Sequence, residues 1–457
     1  MSVIRILLTA VVLIGGSSLP AEAAEPVSNY AVVVSQRTLS DPAWKRVVDA
    51  LVEKHSGRTI AYEDLAEARK PLARPMPRYA CFVATPAEAT REFVADVHRL
   101  TRRLDDDPYT DVIWGILTGA DAENALRIAR ETTPLEIRRT AAGTEVALEL
   151  CDAGVWYSEL TAGKVVRKKS GEAPIVEKGA ADSTKALVDS LGEADLFVTS
   201  GHATERDWQI GYRYRNGIFE SKGGALVGVD TAGVRHPVDA PNPKVYLAVG
   251  NCLMGHIDGP DAMALGWLNR AGVRQMVGYT VPTWFGYGGW GLLDYFVEQP
   301  GRFTLAEAFH ANHQALLHRL ETEFPAEARK ESGAESRNGF LFDRDVVAFY
   351  GDPAWEARMK PAAQAWEQDL SVTDGVYTLT IDPNRGDRTF AAVNTNGAQR
   401  GGRPIFALLP HRVRDVVVTG GREWNPVVTD TFILVPLPKG GDSIRPIRVT
   451  FTAEPSE

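Results

Sequence analysis

The sequence predicts a layered α/β fold with a β-sandwich at its C-terminal end, and three observations carry that prediction. Between Asn29 and about Thr140, short β-branched runs alternate with capped helical patterns at the spacing of a parallel sheet. A second series of buried-strand and helix patterns follows from Glu145. Beyond about Asp369 only short strand patterns remain, separated by Gly, Pro, Asn and Asp, with no helical signal between them.

In the first series, residues 30–34 read as a strand, and Ser40-Asp41-Pro42 opens a helix that Gly57 stops. Residues 59–62, 79–84 and 111–117 read as further strands. Thr85-Pro86-Ala87-Glu88 has capping-box spacing and predicts a helix to about 104, and another helix is expected over 120–130. In the second series the expected strands are 145–151, 195–199, 244–249 and 275–281, with helices over 261–270, 291–298 and 304–321. The glycine-rich stretch 212–236 suggests hairpins, and the polar stretch 325–338 a solvated connection. The last part offers strands at 376–381, 389–393, 404–409, 412–418, 431–435 and 446–451. The expected organisation is therefore a segment 1–23 to be removed, an α/β subdomain over 24–144, a second over 145–368, and a β-sandwich over 369–457.

The chain has 457 residues, a net charge of −9, 44% apolar residues and 24% charged residues, the profile of a globular protein large enough for its own core. The acidic balance argues against bulk binding to nucleic acid or an anionic membrane. Residues 1–5 are a short basic start, 6–14 are nearly all apolar, and Ala21-Glu22-Ala23 has the small-x-small form of a leader-peptidase site. This predicts a secretory signal peptide and export to the periplasm or beyond the cell. No membrane span is expected, because no segment reaches 18 apolar residues.

Three cysteines exclude a disulfide framework, and the odd number leaves at least one thiol free or paired with another molecule. Cys81 and Cys151 stand in apolar strand patterns, where a thiol is a small hydrophobe. Cys252 stands instead in Gly250-Asn251-Cys252-Leu253-Met254-Gly255, a glycine-flanked turn after an apolar strand. His202 has the same placement, after Leu196-Phe197-Val198-Thr199-Ser200-Gly201. Groups just past the carboxyl ends of neighbouring parallel strands converge on one crevice. A thiol and an imidazole delivered there have the parts for nucleophilic acyl transfer, with backbone N–H groups for the oxyanion. A buried structural thiol and an ordinary surface histidine would leave the same spacing.

Four stretches together resemble the gingipain-type cysteine peptidases of the caspase-like clan. Residues 195–208, from Asp195 through His202 to Trp208, are similar to the family's histidine strand. Val249-Gly250-Asn251-Cys252-Leu253-Met254-Gly255 resembles its nucleophile turn, 276–284 its next strand and aromatic wall, and Phe349-Tyr350-Gly351-Asp352-Pro353 a Gly-Asp-Pro element. The resemblance implies a caspase-like α/β unit in two subdomains followed by an immunoglobulin-like β-sandwich. It implies Cys252 as nucleophile, His202 as general acid/base, the N–H groups of Ala203 and Cys252 as oxyanion hole, and Trp284 as a wall of the substrate pocket. Asp152 occupies a position similar to a carboxylate that orients the histidine in some members, and could equally be a turn residue. The chain departs from the family in having His202-Ala203 for His-Gly. Alanine keeps the N–H but its Cβ penalises a positive φ. The helix expected after Asp152 is replaced by a short basic loop over 163–178, and no long inhibitory segment is expected before the first strand.

Other motifs carry less. Gly286-Tyr287-Gly288-Gly289-Trp290-Gly291 satisfies G-x-G-x-x-G but lacks the strand-turn-helix context of a dinucleotide site. Cys252 with His256, and His310, His313 and His318 on one expected helix, lack a zinc pattern, so no catalytic metal is expected. Asp105-Asp106-Asp107 reads as a solvated helix end, or as part of a structural calcium site of the kind some family members have. Arg385-Gly386-Asp387 reads as a hairpin turn. The leading expectation is a secreted cysteine endopeptidase acting on protein or peptide substrates without a required cofactor. The alternatives are an exported binding or assembly protein that keeps the fold, and a transpeptidase using the same acyl-enzyme. Oligomeric state is not legible.

Overall fold

The computed structural model describes residues 29–333, 335–438 and 444–456, and the expected signal segment 1–23 lies outside them. Among the described residues, twelve strands form one sheet. In chain order they are β1 (Tyr30–Ser35), β2 (Arg58–Tyr62), β3 (Tyr79–Val83), β4 (Ile113–Leu117), β5 (Arg139–Ala142) and β6 (Ala153–Tyr157). There follow β7 (Lys164–Lys168), β8 (Ile175–Lys178), β9 (Leu196–Thr199), β10 (Lys244–Ala248), β11 (Val273–Tyr279) and β12 (Val347–Gly351).

Across the sheet the order is β2-β1-β3-β4-β12-β11-β10-β9-β5-β6-β7-β8. Neighbours run parallel from β2 to β12 and again from β11 to β6. The antiparallel pair β11–β12 is the seam between these halves, and β6, β7 and β8 form an antiparallel edge. The two halves of the α/β unit therefore share one sheet. Every residue of β4, β9, β10, β11 and β12 is buried, as strands covered on both faces require. One group of covering helices is Pro42–His55, Ala122–Ala129 and Met263–Arg270, the last two joined by Asn124, whose amide donates to the Leu268 carbonyl. A second group holds Arg91–Thr101 and Leu305–Glu323, whose His98 and Phe309 rings meet Trp114 of β4.

Among the described residues, the C-terminal unit has two antiparallel sheets, one of four strands and one of three. Its first strand, Trp366–Thr373, begins before residue 369. Alternation divides the smaller sheet between two cores. Ile405, Ile433 and Val435 pack inside the sandwich, whereas Phe406, Phe432 and Leu434 join the α/β core.

Several expected elements differ, each for a physical reason. Residues 146–151 are not a strand but a buried turn around a short 3-10 helix, Leu148–Leu150, and the strand starts only at Ala153. A short apolar run satisfies either environment. Residues 163–178 are the β7–β8 hairpin rather than a loop. The capping box at Thr85 does not start a helix. Glu88 does accept from Thr85, but it also takes the hydroxyls of Ser35 and Thr38, and the helix begins after the Thr90 cap. Residues 389–393 form no strand and belong to a loop reaching the α/β unit.

Candidate active site

His202 and Cys252 both stand just beyond the carboxyl ends of neighbouring parallel strands, β9 and β10, whose register pairs Thr199 with Ala248. A chain of buried polar groups joins the two strand ends. The Tyr246 hydroxyl lies 2.8 Å from Thr199 Oγ1, which donates to Asn251 Oδ1 at 2.6 Å. Asn251 Nδ2 in turn donates to the Gly201 carbonyl at 3.1 Å. The residue preceding the candidate nucleophile thus holds the residue preceding the candidate base. Asn251 is fully buried, so its loss leaves unpaired groups with no access to water. Asn251→Ala is expected to lower stability by about 1–3 kcal/mol, the cost of orphaned buried partners. Urea unfolding measures this directly, and an unchanged midpoint would contradict it.

The backbone on the histidine side answers the question raised by Ala203. The left-handed conformation falls two residues earlier, at Gly201 with φ +102°, and Ala203 is not among the positive-φ residues. Alanine is therefore accommodated without strain. Ala203 and Trp208 form an isolated antiparallel bridge, flanked by the hydrogen bonds Gln209 N–H to His202 O and Thr204 N–H to Asp207 O. In such a non-hydrogen-bonded pair, the Ala203 N–H points away from its partner strand. Trp208 closes the turn through its indole N–H, which donates to the Ser200 carbonyl at 2.8 Å. His202 is exposed, with the Tyr212 ring 4.8 Å from its own.

On the other side Cys252 is half-buried, and the Thr283 N–H donates to its Sγ at 3.3 Å. Leu253, directly after it, has φ +57°, a conformation costly for a non-glycine residue and frequent at functional sites. Trp284, next to Thr283, is 53% exposed and touches Phe285 and Phe342. It is a surface aromatic beside the thiol, not a core residue. Arg206 and Asp258 join the two loops in a bidentate pair at 2.5 and 2.8 Å.

Cys81 and Cys151 are free and buried. Burial pushes the Cys151 thiol up to about 11 and raises that of Cys81 further. Neither is poised as a nucleophile.

Asp152 requires correction. It precedes β6, and β6 runs parallel to β5 and β9, so Asp152 lies at the edge of the sheet opposite His202 and Cys252. Ser170 donates to it at 2.9 Å and Lys360 pairs with it at 3.1 Å, and these contacts lower its pKa. It is a surface ion-pair residue. A carboxylate past the other end of β6, at the strand ends that also carry the pair, is Glu159, which the sequence reading missed. Its carbonyl accepts from the Tyr212 N–H at 2.7 Å, and its carboxylate accepts from the Thr144 hydroxyl at 2.6 Å. Burial raises its pKa. A buried acid two residues past a strand end was the available signal.

The remaining motifs are structural. His310 and His313 are buried in the second helix group, and burial drives both below the usual imidazole range. The glycines of 286–291 serve close packing: a Cβ at Gly289 would lie 2.3 Å from the Val249 carbonyl. Asp105, Asp107 and Asp430 bring carboxylate oxygens within 4.8 Å of one another, an all-oxygen set of the chemistry calcium takes, with Arg412 paired to Asp430. Burial pushes Asp107 up to about 6, and Asp111 beside it up to about 9. Asp105, Asp111 and Asp430 line a cleft of about 590 Å³ at the amino ends of β3 and β4, apart from the pair.

No protein-family model matches the chain, and no curated protein matches it. A solved structure described as the Arg specific cysteine proteinase gingipain R aligns over 96% of this chain and 97% of that one, at 10% identity and a TM-score of 0.44. A likeness of that strength adds nothing to the topology and geometry above.

Proposed function

We propose that the protein is an exported cysteine endopeptidase in which Cys252 is the nucleophile and His202 the general acid/base. The observation that carries this reading is the Asn251 bridge, which fixes the two strand ends bearing the pair relative to each other. In the reaction, Cys252 Sγ attacks the peptide carbonyl while His202 takes the thiol proton and passes it to the leaving amine. Water attacks the resulting thioester, His202 accepts its proton, and the acid and free thiol are released. The N–H groups of Ala203 and Cys252 hold the oxyanion in both steps, and Trp284 with Tyr212 flanks the substrate side chain. No metal or organic cofactor is needed for this chemistry.

Digestion of a peptide library under reducing conditions, read by mass spectrometry, tests the proposal. The protein is expected to cut with a definable preference, and Cys252→Ala to cut nothing. Cleavage that persists in the variant, or a folded wild type that cuts nothing, would favour an exported binding protein on the same fold.

A further inference from the structure

The loop that interrupts the C-terminal unit between Pro383 and Ile405 leaves the sandwich and lies along the catalytic edge of the sheet. We propose that its segment 393–403 is a positioning strap for the Cys252–His202 pair, which makes the C-terminal unit part of the active site's working parts; the inference rests on the peptidase reading above.

The strap is anchored by two buried carboxylates of the α/β unit. Glu298 accepts from the backbone N–H groups of Val393 and Asn394 at 3.0 and 3.1 Å. Asp294 accepts from the Gly401 N–H at 2.8 Å and from Arg400 Nε at 2.7 Å. Arg400 also pairs with Glu298, and the Arg403 guanidinium lies 3.7 Å from the centre of the Tyr287 ring. Buried charges held this way cannot be released singly without large cost, so the anchor resists displacement.

From that anchor it reaches both arms of the site. Gly397, at φ +96°, lies flat on the Trp290 indole, where a Cβ would come within 2.2 Å of the ring. Trp290 also meets Gly250, where a Cβ would lie 2.7 Å from the indole nitrogen. Trp290 thus touches both the strap and the turn that carries Cys252. One residue earlier, Asn396 Nδ2 donates to the Thr144 hydroxyl at 3.0 Å, and Thr144 donates to Glu159. Glu159 holds the Tyr212 backbone, and the Tyr212 ring faces His202. Gly397 and Asn396 are positioning residues, each acting on one member of the pair through the residues between.

The test measures alkylation of Cys252 by iodoacetamide from pH 5 to 9, using peptide mass mapping on the full chain, in wild type, Gly397→Ala, Asn396→Ala and His202→Ala. Alkylation rate follows the thiolate fraction and so reports how the imidazole and thiol are placed, without requiring a substrate. Gly397→Ala is expected to change the rate near neutral pH by about tenfold, a part of what a displacement of roughly 1 Å costs a reacting pair. Asn396→Ala, a half-buried truncation that leaves the fold intact, is expected to move the profile along the pH axis, which a purely stabilising contact would not do. If Gly397→Ala fails to fold, Asn396→Ala decides alone. Strap variants that superimpose on wild type while His202→Ala shifts would overturn the strap and leave the dyad standing. A His202→Ala profile identical to wild type would overturn both.

Discussion

Asp352→Ala is expected to cost about 3–5 kcal/mol of stability, the penalty for removing one partner from a buried charge cluster. The carboxylate is almost fully enclosed and accepts from the Tyr30 hydroxyl at 2.8 Å, Lys54 at 2.9 Å and His55 at 2.7 Å. Its backbone carbonyl accepts from the buried Gln275 amide at 2.7 Å, beside the seam between the two halves of the sheet. Burial alone would raise its pKa, but the His55 hydrogen bond and the Lys54 charge outweigh burial and hold it at about 2. Because the folded value lies below the unfolded one, this contribution is complete above about pH 4 and disappears as pH falls through 2. The linkage itself amounts to about 2 kcal/mol, and the rest of the predicted loss comes from stranding Lys54 and His55. Urea unfolding of both forms should show a gap that is wide at pH 7 and narrows toward pH 2. A gap below about 1 kcal/mol at pH 7 would show that the cluster is replaceable.

His202→Ala is expected to lower kcat/KM by roughly 10²–10⁴-fold on the best library substrate, the range for a positioned acid/base. In the proposed mechanism the loss should fall on kcat, because there the imidazole handles protons in the transition state whereas Trp284 and Tyr212 hold the substrate in both states. A loss confined to KM would assign His202 to binding instead. Asp152→Ala should leave kcat unchanged, since its carboxylate lies at the other edge of the sheet with Lys360 and Ser170.

What the sequence revealed and what it hid follow from range. Strand and helix alternation, the helix over 304–321, and the placement of His202 and Cys252 after apolar strands are local patterns, and each is present in the structure. The position of Asp152 depended on telling a buried turn from a strand over 146–151, which an apolar run does not encode. The seam at β11–β12 and the insertion of β12 beside β4 pair residues far apart in the chain. Asn251, Glu159 and Tyr212 acquire their roles only through contacts across strands. The start of the loop that carries the strap was read as a strand at 389–393, because the loop's anchors, Asp294 and Glu298, belong to another unit. The glycines that give the strap and the nucleophile turn their close approach to Trp290 were visible, but a glycine does not name its neighbour.

The most direct measurement is covalent trapping of the site with a small library of peptidyl acyloxymethyl ketones, in which a thiolate displaces the carboxylate and forms a stable thioether. Intact mass and peptide mapping would follow the reaction in wild type, His202→Ala and urea-unfolded protein. The dyad account predicts a single adduct on Cys252, formed at rates that depend on the peptide, strongly slowed in His202→Ala and absent from Cys81 and Cys151 in the folded chain. Equal, peptide-independent labelling of Cys252 in all three samples, or none in a folded protein whose Cys252 iodoacetamide still reaches, would contradict it.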